Sequence, residues 1–228
     1  SGVGTFTIGK HFDSTLGRLV VGDVAIAAAS GSALAITPAA GRPAAALTAT
    51  ALNLASAGAD LTLEVGVVAQ TLTLDAGGAI RQVGDQGLRI AGEVGIAAEG
   101  DIDLFAAGNL FGSRVTANSA LGSVSLRDGN ALAGSFSAGA DLRLEAAGDL
   151  KGISVTVTGA ESSIMLAATH GGSVSLDNVS TVPGDLTIYS SANITQTKPL
   201  VVGGATRILG QQLVFSPAGS TGVNPVVG

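Results

Sequence analysis

One phrase returns four times along this chain. GADLTLE fills residues 58–64, GDIDLFAAGN residues 100–109, GADLRLEAAGD residues 139–149 and GDLTIYS residues 184–190. These copies place Asp60, Asp101, Asp141 and Asp185 at separations of 41, 40 and 44 residues. Apolar strand centres recur at about half that interval: Leu61, Ile80, Ile102, Val124, Leu142, Ile164, Leu186 and Ile208, with gaps of 19, 22, 22, 18, 22, 22 and 22. Most have an apolar partner two positions on, at Leu63, Leu104, Leu126, Leu144, Leu166 and Ile188, whereas Gln82 and Gly210 break that rule. A fixed period in the range of roughly 20 to 50 residues is the signature of units that stack.

Alternation with period two and β-branched residues marks strands with one buried face. Further alternating runs lie between the centres, at Leu72 with Leu74, Leu88 with Ile90, Val155 with Val157 and Val174 with Leu176, so each copy holds two or three short strands. Gly, Asn and Asp separate them, residue types that tolerate left-handed backbone at sharp corners. Such a unit cannot bury its inner face alone, whereas stacking closes a continuous core. The predicted fold is all-β, a single parallel β-helix with coils of about 20 residues. At about 4.8 Å per layer, ten or eleven coils give a rod on the order of 50 Å long. An antiparallel sandwich or barrel also has many short strands, but it gives no reason for near-identical phrases at multiples of one coil length.

Residues 1–228 read as one continuous segment, with 30–57 less regular. Pro38 and Pro43 predict a loop there, and the Ala-rich stretch 44–56 is open to a helical reading. The opening SGVGTFTIG has no basic start and no apolar signal-type core, and with the ending NPVVG it reads as the edge of a fragment or processed chain.

Composition narrows the function classes. The 46 % hydrophobic content supplies enough apolar area to fold. Charged residues are only 12 %, about half the usual share, so the polar surface is mainly Ser, Thr, Asn and Gly. A net charge of −6, with 11 scattered Lys and Arg, disfavours nucleic acid as a partner. The absence of cysteine removes disulfides and thiolate metal sites. No window of about 18 uninterrupted apolar residues suggests a membrane-spanning helix.

Candidate chemistry is sparse. Gly4 to Lys10 has the GxxxxGK spacing of a phosphate loop, but His11 stands where Ser or Thr would hold magnesium, and TFTI alternates as a strand does. His11, Asp13 and Ser14 are triad residue types in adjacent positions, which does not create triad geometry. His170 is the one other histidine, so a zinc site is not expected. A β-helix enzyme acting on polysaccharide would need clustered carboxylates on neighbouring coils. The outward column between apolar pairs reads Thr62, Arg81, Asp103, Ser125, Arg143, Met165, Thr187 and Leu209, with three charges and no carboxylate cluster. Asp101 with Asp103 is its nearest approach, read here as a solvated edge. The calcium-binding nonapeptide pattern does not repeat. Asn109, Asn118, Asn130, Asn178 and Asn193 lie in or beside turns, where they either form ladders or, on the simpler reading, permit the corner backbone. Asn178 and Asn193 also fit the short glycan-acceptor pattern. No catalytic, cofactor-binding or metal-binding residue is assigned, and no enzymatic activity is expected.

GAIRQ at 78–82, ANITQTKPLVVGG at 192–204, and the phrases GNLFGSRVTA, GSVSLRDGN and GSVSLDN together resemble the repeats of filamentous-haemagglutinin-type exoproteins over most of residues 58–215. That resemblance implies a right-handed parallel β-helix shaft, within an adhesin or a contact-dependent toxin stalk, exported by two-partner secretion through an outer-membrane transporter. It implies an extracellular or cell-surface location and a host-surface glycan or protein receptor as partner. A self-assembling filament or biofilm matrix protein, associating through its end coils, is the alternative. The family carries no catalytic residues to this chain.

Overall fold

Parallel strands lying directly over one another make up nearly the whole molecule. The computed structural model describes residues 5–13, 18–37, 46–176, 178–179, 181–196 and 198–215, with side chains described from residue 24 onward to residue 214. Those residues form 25 strands and no helix. Nine short strands stack as one sheet, and fourteen, including the long strands Leu47–Ser56 and Val67–Ala76, form another. Thr181–Val182 pairs with Val201–Val202 as a third, small sheet.

The predicted strand centres meet in register in the nine-strand sheet. Leu61 pairs with Ile80, Ile80 with Ile102, Ile102 with Val124, Val124 with Leu142, Leu142 with Ile164 and Ile164 with Leu186. All are buried, as are Leu63, Leu104, Leu126, Leu144, Leu166 and Ile188 two positions on, so the inner face is a continuous aliphatic column. Nine layers make about eight turns, roughly 40 Å at the usual strand spacing. That is fewer than the ten or eleven expected, because among the described residues this sheet begins at Leu34 and the first coil, Leu34 to Leu61, takes 27 residues.

The long sheet divides in some of its turns. Leu88–Ile90 lies on Val67–Ala69 and Val94–Ala98 on Leu72–Ala76, so two short strands cover one ten-residue strand of the coil before. Each such coil therefore has three limbs. Inner positions along the long sheet are again aliphatic or small, for example Leu52, Leu54, Leu72, Leu74, Val115, Ala117 and Phe136.

Four expectations are corrected. Residues 47–56 form a strand, not a helix: LTATALNLAS alternates exposed and buried positions against the strands on either side, and that packing outweighs alanine's helical preference. Ile208 lies on Ile188, not on Leu186, which pairs with Thr206; the last coil is 20 residues long, and Ile208 fills the second inward slot. Leu209 consequently leaves the outward column and Arg207 takes its place beside Thr187. Thr5–Asp13 is a strand, as TFTI indicated, but it runs antiparallel to Arg18–Ala28 and is the outermost strand of the long sheet. Strands joined by so short a connection can pair only antiparallel. Pro38 and Pro43 lie outside the described residues.

Where strands of successive turns shift register, backbones come very close. Between Leu132 and Gly134 the pairing with Leu150–Val157 slips, and Gly134 takes a φ of 155°. A Cβ there would overlap the Val115 carbonyl oxygen of the preceding turn, whereas one on Gly95 would meet nothing within 4 Å. Gly134→Ala should therefore cost about 3 kcal/mol or more of stability, while Gly95→Ala is neutral or slightly stabilising. Urea unfolding followed by circular dichroism measures both; equal effects would contradict this assignment of close approach.

Candidate functional site

The recurring aspartates stand at one corner, each immediately before a strand of the nine-strand sheet. Their Oδ1 atoms accept hydrogen bonds from backbone N–H groups of the next turn: Ala79 to Asp60 at 2.8 Å, Ser123 to Asp101 at 2.9 Å, Ser163 to Asp141 at 2.8 Å and Ala205 to Asp185 at 2.7 Å. The serine of an intervening layer can do the same, since Ser163 Oγ accepts the Asp185 N–H at 3.1 Å. Carboxylates thus occupy every second layer, about 10 Å apart, with Ala or Ser between them. This explains the forty-residue spacing: an aspartate in every layer would stack like charges at about half that distance. Asp149 repeats the device at another corner by accepting the Ser173 N–H at 2.7 Å. The Lys151 amine, 2.7 Å away, and that N–H together hold its carboxyl below the usual range.

The pair Asp101 and Asp103 does not converge. Asp101 serves the corner, while Asp103 projects from the outer face of the sheet between Arg81 and Ser125. The remainder of that column is assembled as expected, with Arg143, Met165 and Thr187 in successive layers. A second outward column runs beside it through Arg127, Glu145, Ala167 and Tyr189, with Phe105 in the preceding layer. Here the Arg143 guanidinium lies 4.0 Å from the centre of the Phe105 ring. Glu145 bridges two guanidiniums, Arg127 at 3.1 Å and Arg143 at 3.7 Å. Sequence reading placed Arg143 but missed this cluster, because Phe105 lies outside the i, i+2 frame of the apolar pairs.

The asparagines do not supply left-handed corners. Among the described residues the one non-glycine with positive φ is His170, at 52°, on an exposed turn with Nδ1 2.9 Å from Thr169 Oγ1. Asn109 is fully buried in the position that Leu88 occupies in the turn before. Its Oδ1 accepts from the Leu88 N–H at 2.8 Å and from Gln82 Nε2 at 2.9 Å, and its Nδ2 donates to Gln82 Oε1 and the Leu104 carbonyl. Gln82, which broke the apolar rule, sits in the inward slot over Leu63 because this amide pair satisfies it. Asn130 donates its N–H to Asp128 Oδ1, Asn178 Oδ1 accepts from Lys198 Nζ at 3.1 Å, and Asn118 and Asn193 are exposed on strands.

The remaining candidates do not form sites. Thr5 to Lys10 is strand, leaving no loop to cradle a phosphate; His11 and Asp13 follow on the same strand, and Gly4 and Ser14 lie outside the described residues. A groove of about 460 Å³ on the outer side of the long sheet is lined by Thr48, Thr50, Val68, Gln70, Arg89 and Leu110, with no acid in its lining. A second cavity of about 420 Å³ is bordered by Arg127, Asp128, Thr169 and His170. Among the described residues no three His, Cys, Asp or Glu side chains gather as a metal would require.

Asp128 is the one buried carboxyl among the described residues. It points inward above Ala146 and Ala168 and accepts the N–H groups of Asn130 at 2.9 Å and Phe111 at 3.3 Å. Burial pushes its pKa up to about 6, and those two N–H groups offset only part of that rise.

A family model described as "Repeats of unknown function (DUF5649)" matches residues 44–118, 121–180 and 164–213. No curated protein and no solved structure matches the chain.

Because the folded state binds the Asp128 proton more tightly than the unfolded chain, its stabilisation is complete below about pH 4 and is lost as pH rises through about 6. Chemical unfolding at pH 5 and pH 8 should show roughly 1 kcal/mol more stability at the lower pH from this group. Asp128→Asn, which keeps an oxygen for the Asn130 N–H, should flatten that difference; an unchanged pH slope would refute the assignment.

Proposed function

The chain belongs to that family of repeats, and from this premise we propose that it is the stiff shaft of a secreted or surface-displayed bacterial protein, an adhesin whose task is attachment. The observation that carries this reading is the stack of about eight turns whose nine-strand sheet keeps an aliphatic inward column in register from Leu61 to Leu186. A rod built this way resists bending, because any bend must separate strands that share both hydrogen bonds and core contacts. It also displays side chains on flat outer faces at regular intervals, suiting distributed contact rather than catalysis. The groove lined by Thr48, Thr50, Val68, Gln70, Arg89 and Leu110 has no acid in its lining, which supports a non-enzymatic role for that face.

The resemblance of the repeats to filamentous-haemagglutinin-type exoproteins supports the finer reading: export through an outer-membrane transporter, an extracellular location, and a host-surface glycan or protein as receptor. A second reading, a self-assembling filament or matrix protein, is favoured by the ends. Among the described residues the outermost strands, Thr5–Asp13 and Gln212–Phe215 in the long sheet and Leu34–Ile36 and Thr206–Leu209 in the other, each have one side without a strand partner. Unpaired edges template addition.

Electron microscopy combined with sedimentation at increasing concentration separates the two. A shaft gives monomeric rods with a core of roughly 40 Å at every concentration. Fibres lengthening with concentration would replace it with the filament reading, and compact isotropic particles would contradict both.

A further inference from the structure

The outer face of the nine-strand sheet is chemically unlike the rest of this acidic chain. From the layer of Val124 to the last described layer, its outward strand positions carry Arg127, Arg143 and Arg207 against a single carboxylate, Glu145. That carboxylate is shared between Arg127 and Arg143, and Arg207 is exposed with no ion pair among the described residues. Large apolar groups remain open beside them: Met165 is 36 % and Tyr189 42 % exposed, and Phe105, two layers below, supports the Arg143 guanidinium. Arg143 and Arg207 stand three layers apart in one column, about 14 Å, with Met165 and Thr187 between them and Tyr189 alongside.

We infer that this face binds an acidic polysaccharide whose only charges are uronate carboxylates, one per ring and without the added sulfates of heparin, laid along the rod axis. The planar fork of arginine matches a carboxylate in bidentate geometry, and Phe105 beneath Arg143 orders that side chain before binding. An exposed tyrosine offers an apolar ring face and a hydroxyl, complementary to the faces and edges of a sugar. The spacing selects the polymer. Duplex nucleic acid carries one charge per about 1.7 Å of axis, far denser than cations about 14 Å apart, and binding it relies on many clustered cations. The corner aspartates Asp141 and Asp185, immediately beside this face, add repulsion against so dense a charge. A chain with one carboxylate per sugar ring can instead meet the two arginines separately. The inference deepens the adhesive reading, on which it rests only for where such a polymer is encountered; a purified chain tests the face by itself, independently of rod shape.

The probe is polygalacturonate, titrated into the chain at low salt by calorimetry, beside heparin, duplex DNA and neutral dextran. Binding of polygalacturonate in preference to the other three is expected, weakening as salt rises. Replacing Arg143→Gln with Arg207→Gln together should weaken it roughly tenfold, and Tyr189→Ala should weaken it further. The pair Arg89→Gln with Arg114→Gln, on the outer side of the long sheet, changes net charge equally and should leave affinity unchanged. All these side chains are exposed, and an unaltered thermal midpoint confirms intact folding. No binding of polygalacturonate, equal or tighter binding of DNA or heparin, or equal loss with the Arg89 and Arg114 pair would overturn the proposal.

Discussion

Every coil of this molecule depends on its neighbours for both of the things a folded backbone needs. Its inward aliphatic residues cannot be shielded from water by their own turn alone, and its strand N–H and C=O groups point along the rod axis toward other turns. Core burial and backbone pairing are therefore satisfied together or not at all. A one-residue slip would turn Leu142 and Leu144 outward and Arg143 into the core, so the register that satisfies the hydrogen bonds is fixed by the side chains. The same coupling makes the structure a one-dimensional array, with cooperativity passed from layer to layer.

The polar features follow from that constraint. Strands can stack indefinitely, but each corner leaves backbone donors that no strand ladder reaches. The chain covers part of them with side-chain acceptors from the adjoining turn, using Asp60, Asp101, Asp141 and Asp185 at one corner and Asp149 at another. Alternating these with Ala79, Ser123, Ser163 and Ala205 keeps carboxylates apart while keeping the backbone course the same in each layer. Inside, Gln82 with Asn109 forms a closed amide pair, and among the described residues no buried side-chain polar atom lacks a partner. Outside, the packing requirement vanishes, and the outward columns are free to carry a chemistry of their own.

Much of the fold was legible in the sequence, and the limits have physical causes. Leu61, Ile80, Ile102, Val124, Leu142, Ile164 and Leu186 could be aligned because the first inward position of this sheet is aliphatic in each of those consecutive layers. Ile208 was misplaced by two positions because two inward slots per strand accept the same residue types, and a gap of 22 fitted the preceding coils as well as one of 20. The Ala-rich strand 47–56 was hidden because small residues suit a narrow interior and a helix alike. The corner aspartates were visible as a period but not as a function: what identifies them is the small residue one turn away whose N–H they accept, and only register reveals it. Asn109 was read as a corner residue and Asp128 was not singled out, since a buried polar group is defined by its partners rather than by its own type. The Arg143–Phe105 contact was missed for a related reason, being diagonal between two columns that sequence treats separately.

Register is the claim on which all of this depends, and paired cysteines test it directly in a chain that has none of its own. Arg143→Cys with Met165→Cys places two thiols on facing positions of adjacent layers, within the Cα separation of about 4.4–6.8 Å that a disulfide spans. Arg143→Cys with Thr187→Cys places them two layers apart, about 10 Å. Mild oxidation should cross-link the first pair readily and leave the second as free thiols. Cross-linking of the second pair in preference, or of neither, would contradict the stacked and in-register rod.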